Sequence, residues 1–454
     1  MRRVSKFLSP LFVCALAVLS AQGQAARNVR VDFTESTLKN GLRVIYVEDH
    51  SAPVIALSIT YNVGSRDERQ GRTGFAHLFE HMMFKGSENV GSGEHFLLVF
   101  NNGGNMNGTT NEDRTNYFEI LPANQLDLAL FLESDRMKSL AITKENLDNQ
   151  RNAVQEERRI GVDNEPYGKS DERLQELVYD NFAYKHTTIG SMEDLNAATV
   201  EDVAAFFKMY YAPNNAVLVL VGDFKPDEAL AKIRASFESI PRQPTPPKVD
   251  MTEPAQKEER RATVDDMLAR APRLDVAYKA VPGNTADFYA LQVLSNILQS
   301  GQSSRLYQTL VKDKDMVSNV NGSMAEMRGV GGFYTTATVR PNVKIDDVAS
   351  VIYAEMDRLK KEPIADWELQ KAKNTARRNF INSLQSSLAR AVTLGQYAVY
   401  YNDPSLINTR LDKVAAVTKE DVQRVANKYL VDTNRTVVIT MPKAKTAPTG
   451  ATGQ

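Results

Sequence analysis

Apolar residues recur along this chain in two rhythms, and the change from one to the other marks out its elements. Phe75, Leu78, Phe79, Met82 and Phe84 fall at helical spacing, with Gly71 and Gly74 marking the approach to the helix. Leu147, Val154 and Ile160 are the apolar points of a second predicted helix, with no Gly or Pro from Glu145 to Ile160. From Thr115 to Pro122 the pattern alternates instead. Tyr117 and Glu119 lie on one face and Phe118 and Ile120 on the other, which predicts a strand. The polar, Gly-rich run before it, Asn102 to Asn111, reads as a loop.

One stretch of this patterning occurs twice. Ala198-Thr-Val-Glu-Asp-Val203 and Val417-Thr-Lys-Glu-Asp-Val422 align at one offset. Without gaps, Tyr210 then falls on Tyr429, Asn215 on Asn434, and Leu218-Val-Leu220 on Val437-Val-Ile439. Each copy reads as a Thr cap, a helix with acidic residues at its positive end, a short turn and an apolar strand. Between the copies, residues 241–262 carry Pro241, Pro244, Pro246 and Pro247, then the charged run Glu253 to Arg261. This predicts a proline-stiffened, well-solvated linker. The expected fold is therefore α+β, with two duplicated mixed α/β domains at 27–240 and 263–443.

Composition narrows the class. With 454 residues the chain is long enough for two or three domains, and 55 basic against 56 acidic residues give no electrostatic case for nucleic acid or a membrane surface. Arg2, Arg3 and Lys6, the apolar run Phe7 to Leu19, and Ala21-Gln-Gly-Gln-Ala25 read as a secretory signal peptide over 1–25. An uncleaved anchor is the alternative reading. The only cysteine, Cys14, lies inside this segment, so the mature chain has no disulfide to form. The tail 444–454, rich in Ala, Thr, Gly and Pro, is expected to be disordered.

The candidate chemistry lies on the first helix. His77-Leu-Phe-Glu-His81 puts two imidazoles one turn apart, able to grip one metal ion, with Glu80 beside the second. This is H-x-x-E-H, the inverted form of the zinc-hydrolase motif. A catalytic zinc takes a third protein ligand. The helix around 147–160 offers Glu157, but Glu156 is adjacent and helix phase does not separate them. Of the remaining histidines, His50, His95 and His186 read as surface or structural residues, and none follows His186.

These motifs resemble those of the pitrilysin-type (inverzincin) metallopeptidases, which include the mitochondrial processing peptidases, and the resemblance extends over about residues 30 to 445. In that family a segment like Arg-Asn-Ala-Val-x-x-Glu closes on the third ligand. Arg151-Asn-Ala-Val-Gln-Glu-Glu157 matches it, which implies Glu157. Relatives often carry another Glu seven residues earlier, where this chain has Gln150, a residue that would face the same site and only hydrogen-bond. Their Asn-Ala-x-Thr edge strand, which pairs with substrate backbone, corresponds to Asn107, Gly108, Thr109 and Thr110.

The resemblance implies half-barrel-like domains, one Zn2+ per chain, Glu80 as catalytic base, and endopeptidase activity in the bacterial periplasm. It also implies a departure. Where relatives place an Arg and a Tyr that hold substrate, this chain has Val311 and Ser318. A heterodimer with a similar subunit lacking the zinc motif would supply them, and a homodimer is the alternative. A non-catalytic structural or peptide-binding subunit is the remaining reading.

Overall fold

The two predicted repeats each end a β-sheet, and the computed structural model describes them within residues 30–443. The expected signal peptide (1–25) and tail (444–454) lie outside the described residues. In the first half, β1 (Thr34–Thr37), β2 (Arg43–Glu48), β3 (Val54–Tyr61), β4 (Asn105–Thr110), β5 (Thr115–Pro122) and β6 (Ala216–Gly222) form a six-stranded sheet, ordered β1-β2-β6-β3-β5-β4. In the second half, β7 (Arg260–Asp266), β8 (Arg273–Lys279), β9 (Val317–Met324), β10 (Gly332–Val339) and β11 (Arg435–Pro442) form a five-stranded sheet, ordered β7-β11-β8-β10-β9. The second order repeats the last five positions of the first. The closing strand of each half, β6 or β11, runs parallel to β2 or β7 and antiparallel to β3 or β8.

The repeat persists in individual hydrogen bonds. Thr199 and Thr418 accept from the amides of Asp202 and Asp421, capping the helices Val200–Tyr210 and Lys419–Tyr429. In the following turn Asn215 donates to the Tyr210 carbonyl at 2.9 Å, and Asn434 to the Tyr429 carbonyl at 2.8 Å. Each Asn also reaches the chain beside it, at the Asn62 and Lys279 carbonyls.

β6 reads as an unbroken apolar run because both of its faces are covered. Val217, Val219 and Val221 pack against Ala391, Leu394 and Tyr397 on the helix Ser387–Tyr401, which comes from the other half. The exchange is mutual, since Leu174 and Val178 of the first half pack with Val438 of β11.

Three expectations are corrected. The stretch 241–262 is not wholly a solvated linker. Val249 and Met251 pack into a core, and the Glu253 side chain, 1% exposed, pairs with Lys279 at 2.8 Å. Its charged end from Arg260 belongs to β7, an edge strand whose alternate residues face water. The run 102–111, which composition reads as a loop, contains β4, an edge strand covering the Asn107 to Thr110 positions where the resemblance implies one. Ile160 is 63% exposed, because the helix ends at Arg158 and a wider π turn follows. Among the described residues no helix is long and apolar enough to cross a membrane.

Candidate active site

The first five α-helices in chain order are α1 (Phe75–Met82), α2 (Glu94–Asn101), α3 (Leu126–Lys138), α4 (Lys144–Arg158) and α5 (Gly168–Val178), and the candidate site lies on α1 and α4. α1 begins after Gly74, whose φ of +84° is a left-handed conformation that favours glycine. Its apolar face is fixed by Phe75, Leu78, Phe79 and Met82, all buried, with the Phe79 ring 4.1 Å from that of Tyr211. That burial leaves His77 and His81 on the opposite face, with side chains 13% and 24% exposed. α4 is capped by Thr143 and anchored by Leu147 and Val154.

The two helices bring the three expected ligands together. Glu157 Oε2 lies 3.6 Å from His77 Nε2 and 3.4 Å from His81 Nε2, and the three ligand atoms lie within 4.8 Å of one another. Donors each about 2.0–2.1 Å from a tetrahedral zinc stand roughly 3.3–3.5 Å apart, so the set fits that ion. Glu156 points elsewhere, pairing with Arg159 at 2.9 Å. Burial, helped by the neighbouring His81, pulls His77 down to about 4, leaving a neutral imidazole at neutral pH. The bond from His81 holds the Glu157 carboxyl below its usual range.

Glu80 is buried between α1 and β4, and its Oε2 accepts from the Thr110 hydroxyl at 2.5 Å. Burial pushes its carboxyl up, opposed by the Thr110 bond and the charges of His81 and Arg114. β4 approaches so closely that a Cβ at Gly108 would fall 2.9 Å from Glu80 Cγ. The Gly108 amide donates to Asn107 Oδ1 at 2.9 Å, and Arg114 donates to the Thr109 carbonyl at 2.6 Å. Gln150 is buried two turns before Glu157 on α4, donating to Asn149 Oδ1 at 2.5 Å.

Val311 is half-buried against the second core, and the exposed Ser318 donates to the Thr338 carbonyl at 3.3 Å. Neither side chain is a cation. His50 bonds to Asp223 and Glu48 at the surface. His95 lies buried with Glu119 and Glu133, the second group of ligand atoms within 4.8 Å of one another. Two relevant residues escaped the sequence reading, Arg114 and Glu68. Only the lack of a capping side chain at Gly74 hinted that an acceptor such as Glu68 is needed from outside the helix.

Residues 43–192 match the model of insulinase (peptidase family M16), and residues 197–376 that of the peptidase M16 inactive domain. The chain is similar to the zinc protease PqqE of Helicobacter pylori, 33% identical over 97% of this chain and 99% of that protein. It is also similar to the mitochondrial-processing peptidase subunit beta of Blastocladiella emersonii, 24% identical over 95% of this chain and 93% of that one. A crystal structure of a protease from Helicobacter pylori superposes with a TM-score of 0.87 at 32% identity, covering 91% of this chain and all of that one.

Proposed function

Because this chain belongs to peptidase family M16 and is a zinc protease, we propose that it is an endopeptidase acting on peptides or unfolded protein segments. His77, His81 and Glu157 hold one zinc per chain, and the observation that carries this is the Glu157 carboxylate 3.4 and 3.6 Å from the two imidazoles, with Glu80 alongside. When bound, the ion lowers the pKa of a water towards neutrality and polarises the scissile carbonyl.

The remaining work falls to the chain's own groups. Thr110 fixes one carboxylate oxygen of Glu80, leaving Oε1 to take a proton from the attacking water and return it to the leaving nitrogen. The edge strand at Asn107, Gly108, Thr109 and Thr110 binds an extended peptide through main-chain bonds, which suits unfolded substrates and asks little of their sequence. Val311 and Ser318 leave the substrate clamp incomplete, so a partner subunit of the same fold without the zinc motif supplies an Arg and a Tyr. The leader carries the enzyme to the periplasm.

Digestion of a fluorogenic peptide, with and without a chelator, tests the activity. Turnover that vanishes with chelation, returns with zinc and is lost in Glu80→Gln supports the proposal. Turnover indifferent to the chelator refutes it.

A further inference from the structure

α1 begins without a cap of its own, because Gly74 has no side chain to offer its first-turn amides. Glu68 fills that role from outside the helix. Its Oε2 accepts from the Gly74 amide at 2.9 Å and its Oε1 from the Ala76 amide at 2.7 Å. The carboxylate is fully buried at the positive end of the helix. Its remaining partner is His186, whose Nε2 lies 2.9 Å from Glu68 Oε2 and 3.0 Å from the Ser65 carbonyl. The other ring nitrogen, Nδ1, lies 2.8 Å from the Phe182 carbonyl. Carbonyl oxygens only accept, so this arrangement favours a proton on each ring nitrogen, the imidazolium form of His186. Burial disfavours that charge, but the bond and charge of Glu68 outweigh it, and the net shift is upward.

The segment that carries His186 is tied to both ligand-bearing helices. Thr73, just before Gly74, donates through its amide to Asp194 at 2.9 Å. Arg158, just after Glu157, donates to the Gly190 carbonyl at 2.7 Å. The position of α1 matters more than usual here. His77 Nδ1 is buried with no hydrogen-bond partner among the described residues. Metal-binding imidazoles are ordinarily oriented by a bond at their second nitrogen. At that nitrogen nothing among the described residues orients His77, so its placement leans on the helix that carries it.

We propose that Glu68 and His186 are a positioning pair that holds the first turn of α1, and through it His77, in register with Glu157. This rests on the reading of His77, His81 and Glu157 as the zinc ligands. The test is zinc affinity by chelator competition in the full chain, for Glu68→Gln, His186→Gln, the double variant, His77→Ala, and Val293→Ala in the second core as a control for lost stability. Each single variant of the pair should weaken zinc binding about 10–100-fold. The double should be no more than about threefold weaker than the worse single, as expected of two residues acting as one unit. Val293→Ala should stay within about threefold of the parent.

Glu68→Gln within threefold of the parent, a control that weakens zinc equally, or multiplicative losses in the double would each overturn the pair. If instead His77→Ala keeps its zinc, it is the ligand assignment that fails. Should Glu68→Gln not fold, hydrogen exchange at the Gly74 and Ala76 amides in His186→Gln decides. Exchange at least about tenfold faster supports the pair, and unchanged exchange overturns it.

Discussion

Glu119 should be a protonated carboxylic acid in the folded protein, and Glu119→Gln measures the consequence. Glu119, Glu133, Arg136 and His95 are each at most 3% exposed. Arg136 bonds both oxygens of Glu133 and stacks over the Tyr117 ring at 4.6 Å, so its charge is already paired. Among the described residues neither oxygen of Glu119 has a hydrogen-bond partner, and His95 Nε2 is 4.0 Å away. Burial, then the charge of Arg136, drives His95 down to about 2, so it brings no positive charge at neutral pH. If both carboxyls ionised, two negative charges would face one guanidinium, leaving a buried negative charge unpaired. Burial, then the charge of Glu133, accordingly raises Glu119 well above its ordinary value.

The sign of the pH dependence follows. A Glu in the unfolded chain loses its proton near 4.3, roughly, while burial and the charge of Glu133 move that loss to higher pH in the folded protein. Between the unfolded and folded pKa values the native state binds the extra proton, so stability falls as pH rises, by about 1.4 kcal/mol per unit. Glu119→Gln replaces the protonated acid with a neutral isostere and removes that slope. Guanidinium unfolding followed by circular dichroism at pH 6 and pH 7 should show the variant gaining on the parent, by up to about 1.4 kcal/mol over that unit. Arg136→Met should cost roughly 3–5 kcal/mol, because it strands Glu133. A parent-to-variant difference that does not change with pH would refute the reasoning, since it would mean that Glu119 is ionised in the native state.

Metal analysis should find zinc lost in Glu157→Ala and kept in Glu156→Ala, whose side chain pairs with Arg159 instead. Glu80→Gln should keep zinc and lose about 10²–10⁴-fold in turnover. Asn215→Ala and Asn434→Ala should each cost about 1–3 kcal/mol in unfolding free energy, because each Asn closes the same turn in its own half. N-terminal sequencing of the mature protein from a periplasmic fraction should begin near Ala26; an intact Met1 there would refute cleavage of the leader. Peptide turnover per zinc should rise when a same-fold subunit without H-x-x-E-H is added to the isolated chain; full activity alone would exclude the heterodimer.

Much of this site is legible in the sequence because its chemistry is local. His77, Glu80 and His81 share one turn, and helical spacing alone brings them to one side of α1. Glu157 is only half legible, since period counting leaves Glu156 equally eligible; the family segment ending at Glu157 favours it, and the meeting of α1 with α4 puts its carboxylate beside both imidazoles. Composition alone reads the β4 residues as loop, and only the family resemblance points to an edge strand at Asn107 to Thr110. Nothing in the residues by themselves reports an edge beside a buried carboxylate. Glu68 and His186 are 118 positions apart, so their pairing is a property of the fold alone. Ile160 misled because an apolar residue in phase with a helix is no evidence that the helix continues.

The second half carries no histidine, yet it shapes the site through the turn that joins β4 to β5. Asn111 in that turn donates to the Tyr400 hydroxyl at 2.9 Å, from the helix that also covers β6. Asp113, almost fully buried, accepts from Arg66 at 2.8 Å within its own half and from the Arg328 amide at 2.8 Å across from the other. Tyr184 joins the two sides again, donating to Asp113 at 2.8 Å while its hydroxyl accepts from the Gly329 amide at 2.9 Å. An edge strand has a neighbour on one side only, and among the described residues β4 has no further strand to hold its register beside Glu80. Pinning its turn from the second half restrains it without occupying the open edge. The half without a histidine therefore still restrains the strand that lies against Glu80.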